Sequence, residues 1–435
     1  MKKKITTFLL SLTLCVGITA CSFLPQTSGA GTSLSSSNPD VVEGSEEEST
    51  LSSRVESYEY NSEQDEDSSS NDENSSSDSE DSSSNDEDSS SDSEDSSSSE
   101  EDSSSNDENS SSGGEETEVA DLSVHFLELG NEYAGDCTLI DIGDTEILID
   151  AGSRKESAPT LKAYIDKYCK DGTLEYVIAT HAHQDHIAAF VGTGSGNNKT
   201  GILYQYEVGT LIQFSKTNST TQIYDNYKSA VTYAKSQGTT VHTVLECWNN
   251  TNGAKRSYEV GEGITMNFLY QSYYATSTSD ENDYSVCMLL KQGENNFLFT
   301  GDLESAGEAS LVASNTLPKC KLYKGGHHGS KTSSTAALLA KIQPEIVCVC
   351  CCAGTNEYTE TQANQFPTQA FINRIAPYTD KVYVTSAKAG YTLNGNITVS
   401  CAGSGMVTVT GSNNNLILKE TAWFKAERTL PAAWR

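Results

Sequence analysis

Thr180-His181-Ala182-His183-Gln184-Asp185-His186 places four side chains of metal-ligand type within six positions, at His181, His183, Asp185 and His186. The run follows Glu175-Tyr176-Val177-Ile178-Ala179, an apolar stretch that reads as a buried strand, so the cluster is expected where that strand ends and the chain turns. In an extended segment side chains alternate with period two, which points His181 and His183 the same way and lets both imidazoles reach one ion. Asp185 and His186 are adjacent and can diverge towards a second ion roughly 3.5 to 4 Å away, the spacing of two-metal hydrolytic sites. Buried imidazoles and a carboxylate crowded together without a cation would be unpaired and costly, so a plain loop or core role is the poorer reading.

The chain has only seven histidines, and two more are adjacent in Leu322-Tyr323-Lys324-Gly325-Gly326-His327-His328-Gly329-Ser330, again after a short strand-like run. Between the two clusters, Asn296-Phe297-Leu298-Phe299-Thr300-Gly301-Asp302 sets a lone carboxylate after a third apolar run, suited to bridging two cations as a hard oxygen ligand. Three strand ends are thus expected to converge on one pocket. His242, in Thr240-Val241-His242-Thr243, lies in a plausible strand and reads as a core or surface residue.

In combination and order these segments resemble the metallo-β-lactamase superfamily, and within it the hydrolase domain that accompanies DNA-uptake (competence) proteins. The resemblance covers most of residues 121–400 and includes Val124 to Gly130, Gly135-Asp136-Cys137, Ile147 to Gly152, Asn282-Asp283-Tyr284-Ser285, Thr300-Gly301-Asp302 and His327-His328-Gly329-Ser330. It implies an α/β (α+β) fold, the four-layer αββα sandwich. It also implies two divalent cations, zinc or manganese, held by His181, His183, Asp185, His186, Asp302 and His328. His328 is preferred over His327 because the family's last histidine directly precedes glycine. Asp150 is implied as a buried carboxylate bracing the ligand loop, with Asn282 and Ser285 in supporting positions. Two departures stand out. The superfamily's third-motif histidine has no counterpart, which leaves one ion short of protein nitrogens and in need of water or substrate. The histidine of the family's Asn-x-Tyr-Gly-His-Pro-like segment is also missing, since this chain has Asn364-Gln365-Phe366-Pro367-Thr368.

The expected chemistry is hydrolysis by a metal-bound hydroxide, because two cations bring the pKa of a shared water to near 7. Asp302 is expected to bridge, with His181 and His183 at the first ion and Asp185, His186 and His328 at the second. Asp185, His327 and Ser330 are the catalytic candidates. His327 and Ser330 serve either as donors to a non-bridging oxygen or as orienting and turn residues. The domain lacks a basic stripe, so stable nucleic-acid binding is not expected, although metals can anchor a single phosphodiester. A phosphodiester in nucleic acid or wall polymer is the leading substrate. An extracellular lactam or ester hydrolase and a non-catalytic surface-binding lipoprotein are the alternatives.

Residues 1–21 read as a lipoprotein signal: Lys2-Lys3-Lys4, an apolar core from Phe8 to Ile18, then Thr19-Ala20-Cys21, with Cys21 the lipidated residue. That core is too short for a conventional membrane span, and the chain is expected outside the cytoplasm, lipid-anchored to the bacterial cell membrane. Residues 22–120 are a Ser/Asp/Glu-rich linker with too few apolar side chains to fold by burial. From Ser68 to Asn109 it repeats every seven residues without one apolar position, which excludes a coiled coil. Thirty of the 61 acids lie between residues 40 and 120 against one arginine, so most of the net charge of −33 belongs to the linker. Like charges keep such a spacer extended, to at most roughly 330 Å. Residues 121–435 form the hydrolase domain.

Within that domain twelve strands are expected, with helices near 158–169, 222–237, 304–313, 333–341 and 368–375. Residues 191–281, with Tyr204, Tyr206, Tyr224, Tyr227 and Trp248, are the least family-like; packing is the better reading of these rings, and a substrate wall the sharper one. The stretch 415–435, with Trp423 and Trp434, carries no pattern. Of twelve cysteines ten lie in the domain, and Cys287, Cys348, Cys350, Cys351 and Cys352 fall in apparent core strands, where buried free thiols are expected.

Overall fold

The computed structural model describes residues 118–435; the signal, Cys21 and the linker up to residue 117 lie outside them. The apolar runs form β1 (Leu122–Phe126), β2 (Thr138–Ile142), β3 (Thr145–Ile149), β4 (Thr173–Ala179), β5 (Glu207–Gln213) and β6 (Thr240–Thr243). They continue as β7 (Ser257–Gly261), β8 (Ile264–Phe268), β9 (Met288–Gln292), β10 (Asn295–Phe299), β11 (Leu322–Lys324), β12 (Ile346–Ala353), β13 (Val382–Ala387), β14 (Ile397–Cys401) and β15 (Val407–Gly411). An eight-stranded sheet runs β15-β14-β1-β2-β3-β4-β5-β6, and a seven-stranded sheet runs β13-β12-β11-β10-β9-β8-β7. Each sheet mixes an antiparallel half with a parallel half: β3 to β6 pair in parallel in the first, β10 to β13 in the second. Parallel strands need helical crossovers, and the chain supplies them.

The helices are α1 (Ala158–Ile165), α2 (Gln184–Val191), α3 (Ile202–Gln205), α4 (Gln222–Ser236), α5 (Val244–Asn249), α6 (Ser305–Ser314), α7 (Ala336–Ile342), α8 (Gln369–Ile375) and α9 (Ala422–Glu427). Strand parity decides which core each residue joins. Phe297, Phe299, Leu322, Cys348 and Cys350 share a core with residues of the first sheet such as Val124, Leu139 and Ile147. The intervening Leu298, Tyr323, Val347, Val349 and Cys351 pack with Leu338, Leu339, Phe371 and Ile372 of α7 and α8. Period-two alternation within doubly covered strands thus gives a sandwich of two sheets with outer helices, as the αββα expectation has it.

Several expectations change in detail. Helix α1 stops at Ile165, short of residue 169, and α7 starts at Ala336 because Thr335 caps it, accepting from the Leu338 N–H. Strands β5 and β7 were not among those expected. Residues 191–281 extend both sheets, and their rings pack: Tyr227 is buried and donates to Gln213 Oε1 (3.0 Å), Tyr206 donates to Asp166 (2.7 Å), and Trp248 lies against Tyr270 and under the Arg256 guanidinium. These contacts are those of packing, the reading preferred for the rings, with Tyr204 and Tyr224 half-buried. The ten described cysteines are all buried free thiols. His125 is a core residue between Tyr164 and Thr398.

The patternless C-terminal stretch folds against the second core, where Trp423, Phe424 and Trp434 are buried. Trp423 is fully enclosed beneath the Arg428 guanidinium, 4.6 Å from its ring. Trp423→Ala should therefore lower the unfolding free energy by about 3–5 kcal/mol, read by denaturant titration, while leaving metal content unchanged.

Candidate metal centre

The ligand loop begins where β4 ends. His183 is the extended N-cap of α2 (φ −70°, ψ 149°), so Asp185 and His186 sit in the first helical turn and not in extended chain. The reason is local: an acidic residue suits the positive end of a helix, and Ile187 to Val191 supply a buried helical run. The geometry still separates the pairs. His181 Nε2 and His183 Nδ1 converge to 3.0 Å, while His186 Nε2 turns to Asp302 Oδ2 at 3.0 Å.

Asp150, with φ of 59°, accepts from the Thr180 N–H (2.8 Å) and hydroxyl (2.7 Å) and faces His186 Nδ1 at 2.8 Å. It thereby braces the loop and directs His186 Nε2 inward. Gly152 makes this approach feasible: a Cβ there would lie 1.5 Å from the Asp185 carbonyl oxygen. On the other side Glu281 accepts from the Ala182 N–H (3.2 Å), the Thr217 hydroxyl (2.7 Å) and the Asn218 N–H (2.6 Å).

The second sheet delivers the remaining ligand candidates. Asp302 follows β10, and its N–H donates to Ser285 Oγ (3.1 Å), which also lies 3.4 Å from His181 Nδ1. Ser285 therefore stands behind His181, away from the Nε2 atom that meets His183. Asn282 donates to Glu304 (3.2 Å), and Asp283 accepts from the Glu304 and Gly307 N–H groups, tying the same segment to the start of α6. After β11, His327 and His328 both adopt left-handed backbone, φ 45° and 54°. Consecutive non-glycine residues in that region are strained, and such strain collects at functional sites. The turn aims the tandem histidines apart. His328 Nδ1 faces the Cys350 carbonyl (2.8 Å), and its Nε2 is 3.2 Å from both Asp185 Oδ2 and Asp302 Oδ2. His327 Nδ1 pairs with Glu304 at 3.1 Å, and its Nε2 stays 3.9 Å from Asp302. Ser330 shares its hydroxyl with Thr332 (2.8 Å) and points into the turn. His242 lies on β6, outside the cluster.

Two donor groups result: His181 with His183, and Asp185, His186 and His328 gathered on Asp302. Their separations of 3.0 to 3.2 Å match the edge of a tetrahedral shell with bonds of ~2.0 Å, roughly 3.3 Å. Asp302 Oδ1 is buried without a hydrogen-bond partner, an oxygen left over for a cation. The residues fit a divalent metal. Burial holds the His181 imidazole well below its usual range, hence neutral and able to ligate. Burial would do the same to His186 and His328, but Asp302, with Asp150 at His186 and Asp136 at His328, holds both well above it. Conversely, burial opposes ionisation of Asp302, yet His186 and His328 keep its carboxyl well below the ordinary range.

Sequence reading assigned no role to Asp136, Glu281, Glu304, Lys324 or Tyr358. Tyr358 donates to Asp185 Oδ2 (2.9 Å) from a loop pinned by Glu357, which accepts from the Ala134 N–H (2.7 Å) and pairs with Arg154 at 2.6 Å. Its ring and that of Phe366 are in contact, and Phe366 also touches His327 and His328.

Fold and site together define an α/β sandwich domain of two sheets with outer helices and a His/Asp centre suited to divalent metal. Residues 130–198 match the metallo-beta-lactamase superfamily, and part of the chain resembles competence proteins. It is 33% identical over 84 residues to recombination protein 2 of Haemophilus influenzae, covering 19% of this chain and 10% of that protein. It is 32% identical over 127 residues to competence protein ComA of Neisseria gonorrhoeae, covering 28% and 17%. The chain thus spans less than a fifth of either relative's length. Among solved structures it is similar to the metallo-beta-lactamase fold protein YhfI of Bacillus subtilis (14% identity, 62% of this chain and 88% of that one, TM-score 0.34).

The full chain should take up divalent metal, with affinity strengthening as pH rises, because ions must displace the protons that His186 and His328 retain. Elemental analysis and chelator competition check this. Asp302→Ala should weaken binding by more than the roughly 10- to 100-fold typical of outer-partner loss, and His242→Ala should leave it unchanged.

Proposed function

We propose that the chain is a surface-anchored metal-dependent hydrolase whose domain, residues 121–435, cleaves phosphodiester bonds. The observation that carries this reading is two adjacent donor groups, His181 with His183 and, beside the His181 ring, Asp185, His186 and His328 gathered on Asp302. His181 and His183 would hold one ion and Asp185, His186 and His328 the other, with Asp302 shared. Two bound cations, zinc or manganese, would supply Lewis-acid activation of water and neutralise a phosphoryl oxygen. The protein's own contribution is positional. Asp150 and the Cys350 carbonyl fix the faces that His186 and His328 present. Glu304 orients His327, leaving its Nε2 towards Asp302 and able to donate to a substrate oxygen. Tyr358, half-exposed, adds a hydroxyl at the mouth beside Asp185. Ser330 is assigned to the turn. Relatives named for recombination and competence favour a phosphodiester over a lactam or ester.

We further propose attachment through a lipid on Cys21, with the acidic linker as tether. Cys21→Ser should release the protein from membranes or leave its signal uncleaved, read by fractionation and mass spectrometry.

With the metal-loaded chain and bis-nitrophenyl phosphate or DNA, His183→Ala and Asp185→Ala should each lower turnover by roughly 100-fold or more. His327→Ala should reduce turnover while metal content stays near that of wild type. Turnover of a lactam or carboxylic ester, but of no phosphodiester, would overturn the substrate class. Metal bound with no hydrolysis of any class would overturn the enzyme reading.

A further inference from the structure

Lys324 is a lysine at the end of a buried strand, 2% exposed, and it meets the Asp136 carboxylate, itself 1% exposed. It shares strand parity with Leu322, so it faces the inter-sheet core, and it reaches across that core to the loop that leads into β2 of the first sheet. Among the described residues no other lysine or arginine contacts Asp136, Asp150, Asp185 or Asp302. Asp136 occupies a specific place. Its N–H donates to the Asp185 carbonyl (3.0 Å) and its own carbonyl accepts from the Gly152 N–H (2.9 Å), which locks it to both brace and ligand loop. Its carboxylate lies 3.5 Å from His328 Nδ1 and 3.9 Å from His186 Nδ1. Both contacts are on the side of the ring opposite the Nε2 atoms that gather on Asp302. A carboxylate behind an imidazole strengthens it as a metal donor, whereas a carboxylate free to turn would itself be an oxygen ligand.

We propose that Asp136 and Lys324 form a buried charge pair that sets the affinity of the metal centre: Asp136 strengthens His186 and His328 from behind, and Lys324 opposes the added negative charge and keeps that carboxylate off the ions. The inference rests on the metal reading of the site given above, and not on any substrate. Removing the negative member leaves Lys324 as an uncompensated positive charge beside the cations and weakens their binding. Removing the positive member leaves Asp136 uncompensated and strengthens it. A pair serving only to hold the two sheets together would weaken binding on loss of either partner.

The test is metal affinity of the full chain, measured with zinc and with manganese against a chelator, for wild type, Asp136→Asn and Lys324→Gln. Each substitution keeps a polar partner for the residue left behind. Asp136→Asn should weaken binding about tenfold or more and Lys324→Gln should tighten it, with the double variant between them. A variant that folds only when metal is present still reports its sign, through the metal concentration at which it folds relative to wild type. Shifts in the same direction, or no shift in either variant, would overturn the proposal while leaving the metal centre intact. A wild-type chain that binds neither ion would overturn the metal reading itself and this inference with it.

Discussion

Four carboxylates, Asp136, Asp150, Asp185 and Asp302, are buried or nearly so at one junction between the two sheets, and the local architecture answers to their charge. Each isolated buried carboxylate would be prohibitively costly, so each is matched. Asp150 has the Thr180 N–H and hydroxyl, Asp136 has Lys324, and Asp185 has the Tyr358 hydroxyl. Asp302 has its N–H anchored on Ser285 and one carboxylate oxygen among imidazoles, while the other oxygen has no protein partner. The imbalance falls on the residue at which His186 and His328 gather. That is the position at which a cation relieves the most charge.

The fold is suited to this because the two parallel halves end at the same place. Asp150 and the ligand loop follow β3 and β4, while Asp302 and the tandem histidines follow β10 and β11, which pair in parallel in the other sheet. Adjacent parallel strands release their chains on one edge, so short loops from both sheets meet without long excursions. The strained residues lie on those loops: Asp150, His327 and His328 are left-handed although none is glycine. Strain of this kind persists only where surrounding structure over-determines it, and here α6, through Asp283 and Glu304, and the Cys350 carbonyl do so.

Much of this was legible in the sequence because dense, short-range patterns carried it. The histidine run, the Gly-Asp pair and the His-His-Gly-Ser segment each follow an apolar run, and the structure gathers His186, Asp302 and His328, with Asp185 at His328 and the unread Asp136 beside them, while leaving His242 apart. The unread parts have physical reasons. Strand β5 carries exposed or partly exposed Glu207, Gly209 and Thr210, which dilute its apolar signal, and β7 is a short edge strand. Glu281 and Glu304 act through contacts between residues distant in sequence or across loops, as when Glu281 caps Asn218 sixty-three positions away. The C-terminal Trp423 and Trp434 obey no helical period because they fill a pre-existing surface of the second core. Lys324 did leave a signal. A lysine between Tyr323 and Gly325, at the end of an apolar strand and just before two histidines, is a charge with no reason to be there unless it has a buried partner.

The missing third-motif histidine acquires a structural meaning from Ser285. Its hydroxyl sits on the Nδ1 side of His181 and receives the Asp302 N–H, so it stabilises two ligand-bearing loops and supplies no donor on the Nε2 side. The His181–His183 pair consequently has fewer protein atoms to complete a shell than the group around Asp302, and His183 is exposed where His186 and His328 are enclosed. An ion held by fewer protein donors keeps coordination positions for water or substrate, which is the open arrangement hydrolytic centres require. The enclosed group, backed by Asp150, Asp136 and the Cys350 carbonyl, is the better pre-organised of the two. Under the two-ion reading proposed above, a division of labour between a firmly held ion and an accessible one would follow from where the imidazoles sit in the fold and from the carboxylates and carbonyl that back one group only.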